Sequence, residues 1–407
     1  MKNKKLFILT IFLTLGFSQE NRPYVLLISF DGFRADYREW YDTPNMDAFA
    51  ENGVSADKMQ PVYVTKTFPN HYTLATGMYI ENHGLIDNFF YDPILDDTYK
   101  LSDRTKVEDT RFYGGEPIWV TAEKQGVKSA SMFWVGSEAP ISGIQPSIWK
   151  RYDHHMPFYS RIDSVASWFS LPEDRRPHFV ALYFHEPDET SHQNGVTSPQ
   201  TKSIVESLDS LLGVIVSTMG KLDIANNLNI VVVSDHGMAD LSPDRVITLS
   251  DYVNLDGVTQ ERNGPFSFLY NIPHKRAKKI VRKLNKAPHL TAYLKEDIPE
   301  RYHFKNHYRI KQILLVADEG WSILDEKRID DPKHMEYMTS GATHGYDNQL
   351  QSMQAIFLAD GPAFKDGYRR DSMENIQVYP IVAEILGIEP NPAADGKIED
   401  VKDLFRE

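Results

Sequence analysis

The sequence contains no cysteine, which excludes disulfides, thiolate zinc sites and a lipid anchor on an N-terminal cysteine. Any metal this chain holds must sit on nitrogen and oxygen ligands. A long apolar run is also missing at the N-terminus, where Leu6 to Phe17 follows Met1-Lys2-Asn3-Lys4-Lys5 and precedes Ser18-Gln19-Glu20. That run falls short of the roughly 20 residues a spanning helix needs. The basic start, short apolar core and small residues Gly16 and Ser18 read instead as a cleavable signal peptide over residues 1–18. The expectation is a periplasmic or secreted protein with no stable membrane anchor. Positive charge is in deficit, with 44 Lys and Arg against 57 Asp and Glu and a net charge of -13, so a nucleic acid polymer is not an expected partner. There is no internal repeat, no low-complexity tract and no Gly-x-Ser-x-Gly elbow.

What is present suits one large core. The chain has 407 residues, 41% apolar and 12% aromatic, enough for one large domain or two ordinary ones. Pro23 to Phe30 is nearly all apolar and stops at Asp31-Gly32, the pattern of a strand buried on both faces of a parallel sheet. Similar runs at His178 to Phe184 and Leu228 to Ser234 end near Glu186-Pro187-Asp188 and Asp235-His236-Gly237. Helical patterns fall at Pro117 to Gln125, Tyr159 to Phe169 and Ser203 to Leu222. Strands alternating with helices predict a doubly wound, mostly parallel α/β sheet, whose ligands bind outside the carboxyl ends of its strands. From about 239 to 343 the pattern changes to short strands, a basic helix near Lys275 to Lys286 and polar loops, which reads as an inserted, cap-like subregion. The sheet pattern returns at Ser352 to Leu358, and a helix over Asn375 to Leu386 closes the chain. Residues 19–407 are therefore counted as one domain with an insertion.

Asp31, Asp188-x-x-x-His192, Asp235-His236 and His344 form the constellation that bears chemistry. Most follow buried strands or their turns, points that converge on one edge of such a sheet. Singly, Asp31 before Gly32 also fits a turn, Asp188 a helix start, and a lone histidine is ordinarily structural. Together, carboxylates and imidazoles in this mixture suit zinc, and six exceed what one tetrahedral ion uses, so two ions about 4 Å apart would account for all of them.

The nucleophile candidate is Thr67, in Thr65-Lys66-Thr67-Phe68-Pro69-Asn70-His71. Pro69 suits the first turn of a helix, which puts Thr67 at a helix N-terminus. An N-cap threonine is the plain reading. A helix N-terminus also favours negative charge, however, and a hydroxyl held against a metal there ionises near neutral pH.

These motifs resemble the nucleotide pyrophosphatase/phosphodiesterase family of the alkaline phosphatase superfamily. The landmarks are Ser29-Phe30-Asp31-Gly32-Phe33-Arg34, the Thr67 segment, Gly84-Leu85-Ile86-Asp87-Asn88, Gly115-Glu116-Pro117-Ile118-Trp119, Glu186-Pro187-Asp188, Ser234-Asp235-His236-Gly237-Met238 and Thr343-His344-Gly345. The resemblance implies the alkaline phosphatase type of sheet and two zinc ions, one on Asp31, Thr67, Asp235 and His236, the other on Asp188, His192 and His344. It implies a covalent intermediate on Thr67, with Asn88 donating to a phosphate oxygen. Phe68 and Tyr183 resemble the two sides of a nucleobase slot, and Trp134 lies in a segment that approaches the pocket in relatives. Trp149 falls where many members carry tyrosine, a departure that leaves room for a lipid or choline phosphodiester. The cysteine-rich and nuclease-like modules of animal members are missing, which resembles a bacterial member made of the catalytic domain alone.

The leading expectation is hydrolysis of phosphodiester or pyrophosphate bonds in nucleotides or dinucleotides, releasing nucleoside 5'-monophosphate. Its rivals are a lysophospholipid or glycerophosphodiester hydrolase with the same two-zinc machinery, a phosphomonoesterase, and a catalytically inactive secreted binding protein.

Overall fold

The computed structural model describes residues 22–325 and 331–407; the signal-peptide reading of residues 1–18 lies outside the described residues. The first apolar run forms β1 (Tyr24–Phe30), buried along its whole length. Successive side chains of a strand face opposite ways. Val25 and Leu27 enter a core shared with the helices Thr67–Thr76, Ile118–Lys124 and Val378–Leu386. Leu26, Ile28 and Phe30 enter a second core with the helices Pro44–Asn52, Phe158–Phe169 and Pro199–Met219. A continuous apolar strand is what this sandwich of helix, sheet and helix requires.

The central sheet also contains β2 (Val54–Gln60), β3 (Ser129–Met132), β4 (Ile148–Lys150), β5 (Phe179–Phe184), β6 (Leu228–Val233), β7 (Ala355–Asp360), β8 (Tyr368–Arg370) and β9 (Met373–Glu374). The spatial order is β8-β2-β7-β6-β1-β5-β3-β4, with β9 also pairing with β2. Strands β6, β1, β5, β3 and β4 run parallel, with Leu27 flanked by Ala181 and Val231. Strand β7 is antiparallel to both of its neighbours. The fold is thus the doubly wound, mostly parallel α/β sheet that the pattern predicts.

Boundaries differ where local chemistry intervenes. The long helix starts at Pro199, ahead of the expected Ser203, because Ser198 caps it and Pro199 takes its first turn. Strand β7 starts at Ala355, behind the expected Ser352, since Gln351–Met353 is a short 3-10 turn. Asn375–Gln377 is likewise a 3-10 turn before the helix Val378–Leu386.

Between β6 and β7 the chain builds a four-stranded antiparallel sheet, in the order Thr259–Glu261, Phe266–Tyr270, Ile313–Ala317, Leu290–Leu294. One face packs under the basic helix His274–Leu284 through Leu269, Ile280, Leu284 and Leu315. The other face, with Phe266, Phe268, Leu314 and Val316, joins the main core on the side of the Thr67 helix. Buried Arg309 fastens the arrangement, pairing with Asp92 at 2.6 Å and donating to the carbonyls of Gly84 and Phe112 at 2.7 Å each.

Candidate active site

Strands β6, β1 and β5 are adjacent, so their carboxyl ends deliver Asp235, Asp31 and Asp188 to one place. Gly32 permits the approach. Its φ is +68°, and a Cβ there would meet Cβ of Asp188 at 2.9 Å, so only glycine fits. The Gly32 amide donates to Asp235 Oδ1 at 3.1 Å, and the Asp188 amide donates to the Asp31 carbonyl at 3.0 Å. The three turns are thereby tied together. Asp188 opens the helix Asp188–Asn194, and His192 lies one turn along it on the same face. His344 arrives after the insertion, directly beyond the short strand Ala342–Thr343, which pairs with Ala239–Asp240.

The side chains then meet. His236 Nε2 lies 2.9 Å from Asp235 Oδ2 and 3.6 Å from Asp31 Oδ1. His192 Nε2 and His344 Nε2 lie 3.4 Å and 3.7 Å from Asp188 Oδ1. The rings of His236 and His344 stack with centroids 3.5 Å apart, which brings the two sets against each other. Each imidazole has its Nδ1 on a backbone carbonyl: His192 on Ala342 at 2.7 Å, His236 on Gly237 at 2.9 Å, His344 on Thr65 at 2.8 Å. A carbonyl only accepts, so Nδ1 carries the proton and the Nε2 lone pair faces inward.

Opposite those lone pairs, Asp31 Oδ1, Asp188 Oδ1 and Asp235 Oδ2 are buried with no hydrogen-bond partner among the described residues. Acceptors facing acceptors in a buried place call for cations. Burial, and then Asp235 and Asp188, push the Asp31 carboxyl well above its usual range. Burial, with His236 next, pushes His344 well below the ordinary imidazole value, leaving it neutral as a ligand must be. Asp31, Asp188 and His236, and separately Asp188, His192 and His344, bring ligand atoms within 4.8 Å of one another. The donor set fits metal ions with a taste for imidazole and carboxylate.

Thr67 is the first residue of the helix Thr67–Thr76, behind Lys66 at the N-cap, and no side chain caps that end. Its hydroxyl is free of capping duty and lies 3.2 Å from His236 Nε2. Asn88 accepts the Phe68 amide on Oδ1 at 2.9 Å, which leaves its NH2 group as a donor toward the cavity that Asn88 lines.

That cavity, of about 450 Å³, opens over Asp31, Thr67, Asn88, Asp188, His192 and His344. Phe68, Tyr183 and Trp134 also line it. Trp134 is a rear wall, 1% exposed, whose indole donates to the His71 carbonyl at 3.0 Å. Trp149 is elsewhere: it sits on the outermost strand β4, paired with Ser131, away from the cavity lining. The ring that reaches the cavity from this segment is Tyr152, so the departure at Trp149 says nothing about substrate.

Other contributions are absent from the sequence reading. His71, fully buried, has Nδ1 3.3 Å from Asp235 Oδ2 and 3.0 Å from the Thr67 carbonyl, and Nε2 2.8 Å from Ser29 Oγ. Its spacing of one turn from Thr67 on a common helix is the signal that would have found it. Tyr183 donates to Asp31 Oδ2 at 2.6 Å. Buried Lys66 donates to the His344 carbonyl at 2.6 Å, and burial lowers its ammonium to about 8.

Comparison with known proteins gives consistent results. Residues 25–347 match the family model for type I phosphodiesterase / nucleotide pyrophosphatase. The chain is 40% identical over 387 residues to a venom phosphodiesterase of Naja atra, covering 93% of this chain and 45% of that protein. The chain thus spans about half the length of the curated relatives it matches first. It is 36% identical to bis(5'-adenosyl)-triphosphatase enpp4 of Xenopus laevis, covering 95% of this chain and 83% of that protein. Among solved structures, murine ectonucleotide pyrophosphatase/phosphodiesterase 5, in an inactive threonine-to-alanine form in complex with AMP, superposes with a TM-score of 0.87 at 35% identity. That match covers 94% of this chain and all of the other.

Proposed function

The chain belongs to the type I phosphodiesterase / nucleotide pyrophosphatase family, and from that premise we propose that it hydrolyses phosphodiester or pyrophosphate bonds in nucleotides or dinucleotides through Thr67. The products are a nucleoside 5'-monophosphate and the displaced group. The observation that carries this reading is the Thr67 hydroxyl, unused by its helix and set 3.2 Å from His236 at the meeting point of the two ligand sets. Two zinc ions, one on Asp31, Thr67, Asp235 and His236 and one on Asp188, His192 and His344, would supply the Lewis acidity that ionises the hydroxyl and stabilises the departing oxygen.

The chain's own residues do the rest. Thr67 Oγ1 forms a bond to phosphorus as the bond to the leaving oxygen breaks, and the leaving group keeps the electron pair. Water then cleaves the threonine ester and returns a proton to Thr67. The Asn88 NH2 donates to the non-bridging oxygen as charge builds there. Phe68, Tyr183 and Tyr152 offer aromatic surface to a base, with Trp134 behind them. The AMP-bound relative supports a nucleotide in this place. The cavity lining also includes Lys66, Lys100, Arg104 and Arg262, which suits an anionic substrate such as a nucleotide. The signal-peptide reading puts the protein in the periplasm or outside the cell. Among the described residues no helix is long and apolar enough to cross a membrane.

Thr67→Ala tests the mechanism on bis(p-nitrophenyl) phosphate with zinc present. Near-complete loss of turnover with zinc still bound is expected. A variant as active as the parent, or a parent holding less than one zinc per chain, refutes it, and faster cleavage of p-nitrophenyl phosphate refutes the diesterase assignment. Absence of turnover on every ester would leave the binding-protein reading.

A further inference from the structure

We propose that Arg262 organises a second subsite, beside the nucleoside cavity, that takes an anionic phosphoanhydride leaving group. This rests on the hydrolytic reading above and adds which substrates that chemistry favours. A second cavity of about 660 Å³ adjoins the first. The two share Lys66, Phe89, Arg262, Tyr337 and Thr343 as a common wall. Three of these are chain neighbours of working groups: Lys66 precedes Thr67, Phe89 follows Asn88 and Thr343 precedes His344. A phosphorus held at Thr67 therefore lies where both cavities begin. With the nucleoside among Phe68, Tyr183 and Tyr152, the remaining substituent has the second cavity in which to extend.

The common wall is cationic in an acidic protein. It carries Lys66 and Arg262 and no acid, whereas Glu261 and Asp325 of the second cavity lie off it. Arg262 comes from the inserted subregion, in the turn between the paired strands Thr259–Glu261 and Phe266–Tyr270, and holds a φ of +77°, a left-handed conformation uncommon for a side-chain-bearing residue. Its Nε lies 2.6 Å from buried Asp87, and its guanidinium carbon lies 6.0 Å from the Phe89 ring centre. Beyond the cations, Tyr91, Tyr270 and Tyr337 give the second cavity aromatic surface. Tyr337 is 74% exposed, among the large hydrophobic side chains left open to solvent.

The chemistry matches a phosphoanhydride. When the bond from the attacked phosphorus to the bridging oxygen breaks, the electron pair stays on that oxygen and the leaving phosphate gains a negative charge. A guanidinium beside it stabilises that state more than the ground state. A p-nitrophenolate has no phosphate for Arg262 to hold. Two kinds of molecule share the anhydride, a nucleoside triphosphate leaving as pyrophosphate and a dinucleoside polyphosphate leaving as a second nucleotide; the tyrosines contribute only to the latter.

The test compares kcat/KM of the zinc-loaded parent, Arg262→Gln and Arg262→Lys on ATP, diadenosine triphosphate and p-nitrophenyl thymidine 5'-monophosphate. Arg262→Gln is expected to lose about tenfold to a hundredfold more on both anhydrides than on the aryl ester, with partial recovery in Arg262→Lys. An equal fold-loss on all substrates would overturn the proposal. It would mean that Arg262 acts only through Asp87 and the neighbouring Asn88, which faces an oxygen common to every substrate. Asp87→Asn supplies the reference for that outcome, with a uniform loss expected. Tyr337→Ala separates the sources: a loss confined to diadenosine triphosphate assigns the cavity to a second nucleotide, and no loss assigns it to the phosphates alone. A parent inactive on all three substrates would refute the hydrolytic reading rather than the subsite.

Discussion

Replacing Tyr183 by phenylalanine keeps an aromatic wall and deletes one oxygen, the one that donates to Asp31 Oδ2 at 2.6 Å. A hydrogen bond of this kind, buried and made to a carboxylate, contributes about 1.5–3 kcal/mol, which is about tenfold to a hundredfold in any equilibrium that needs Asp31 ionised. The direction follows from the surroundings. Burial, then Asp235 and Asp188, already drive Asp31 toward its protonated form, and Tyr183 opposes them. Without the phenol the carboxyl rises further, and a metal must displace a more tightly held proton. Tyr183→Phe should therefore bind zinc about tenfold to a hundredfold more weakly, with a deficit that widens as pH falls. Competition against a chromophoric chelator at neutral and mildly acidic pH measures this. At saturating zinc the KM for a nucleotide should stay near the parent value, because the ring remains. Unchanged zinc affinity together with a raised KM would refute the reasoning and reduce Tyr183 to a wall for the base.

Gly32→Ala forces a Cβ to within 2.9 Å of Asp188 in a left-handed backbone position. A loss of about 1–3 kcal/mol from strain alone is expected, with weaker metal retention, read by thermal unfolding and metal analysis. Chelation should abolish turnover and lower Tm by leaving the buried oxygens of Asp31, Asp188 and Asp235 facing one another, and added zinc should restore both. Buried His83 accepts the Leu85 amide on Nδ1 at 3.1 Å, and burial, then His307 and Arg309, hold its pKa down to about 3. The unfolded chain takes up that proton near pH 6.5 and the folded chain does not, so stability is lost as pH falls from about 6.5 toward about 3. Tm measured across that range should decline, less steeply in His83→Gln.

Much of the frame is legible because buried parallel strands announce themselves. Each of β1, β5 and β6 is apolar on both faces and gives way abruptly to Asp31, Glu186-Pro187-Asp188 or Asp235-His236. His192 is legible from its four-residue spacing to Asp188. His344 is less so, since it follows a strand of two residues with no periodicity of its own and joins the constellation as one histidine among many, assigned to a particular ion only by the family resemblance. Thr67 is ambiguous for a physical reason: the pattern that caps a helix also presents a hydroxyl at its first residue. Three dimensions separate the two by placing Lys66 at the cap. Trp149 and Tyr152 show the same limit. Which ring of a short edge segment reaches the cavity depends on the direction the strand imposes, and that direction is set by pairing with β3. Arg262 pairs with a partner distant in sequence, Asp87, so no local pattern marks it, whereas His71 is marked only by its one-turn spacing from Thr67.

The order in which the chain supplies the ligands bears on when activity can begin. Asp31, Asp188, Asp235 and His236 all precede the inserted subregion, and His344 comes after it, held by the short ladder of Ala342–Thr343 on Ala239–Asp240. A chain emerging from a ribosome has Asp31, Asp188 and Asp235 before it has His344. Until the insertion has folded and closed that ladder, Asp188 and His192 lack their third partner and Lys66 lacks the His344 carbonyl. A cut within the insertion would therefore place Asp188 and His344, whose side chains lie 3.7 Å apart, on two separate fragments.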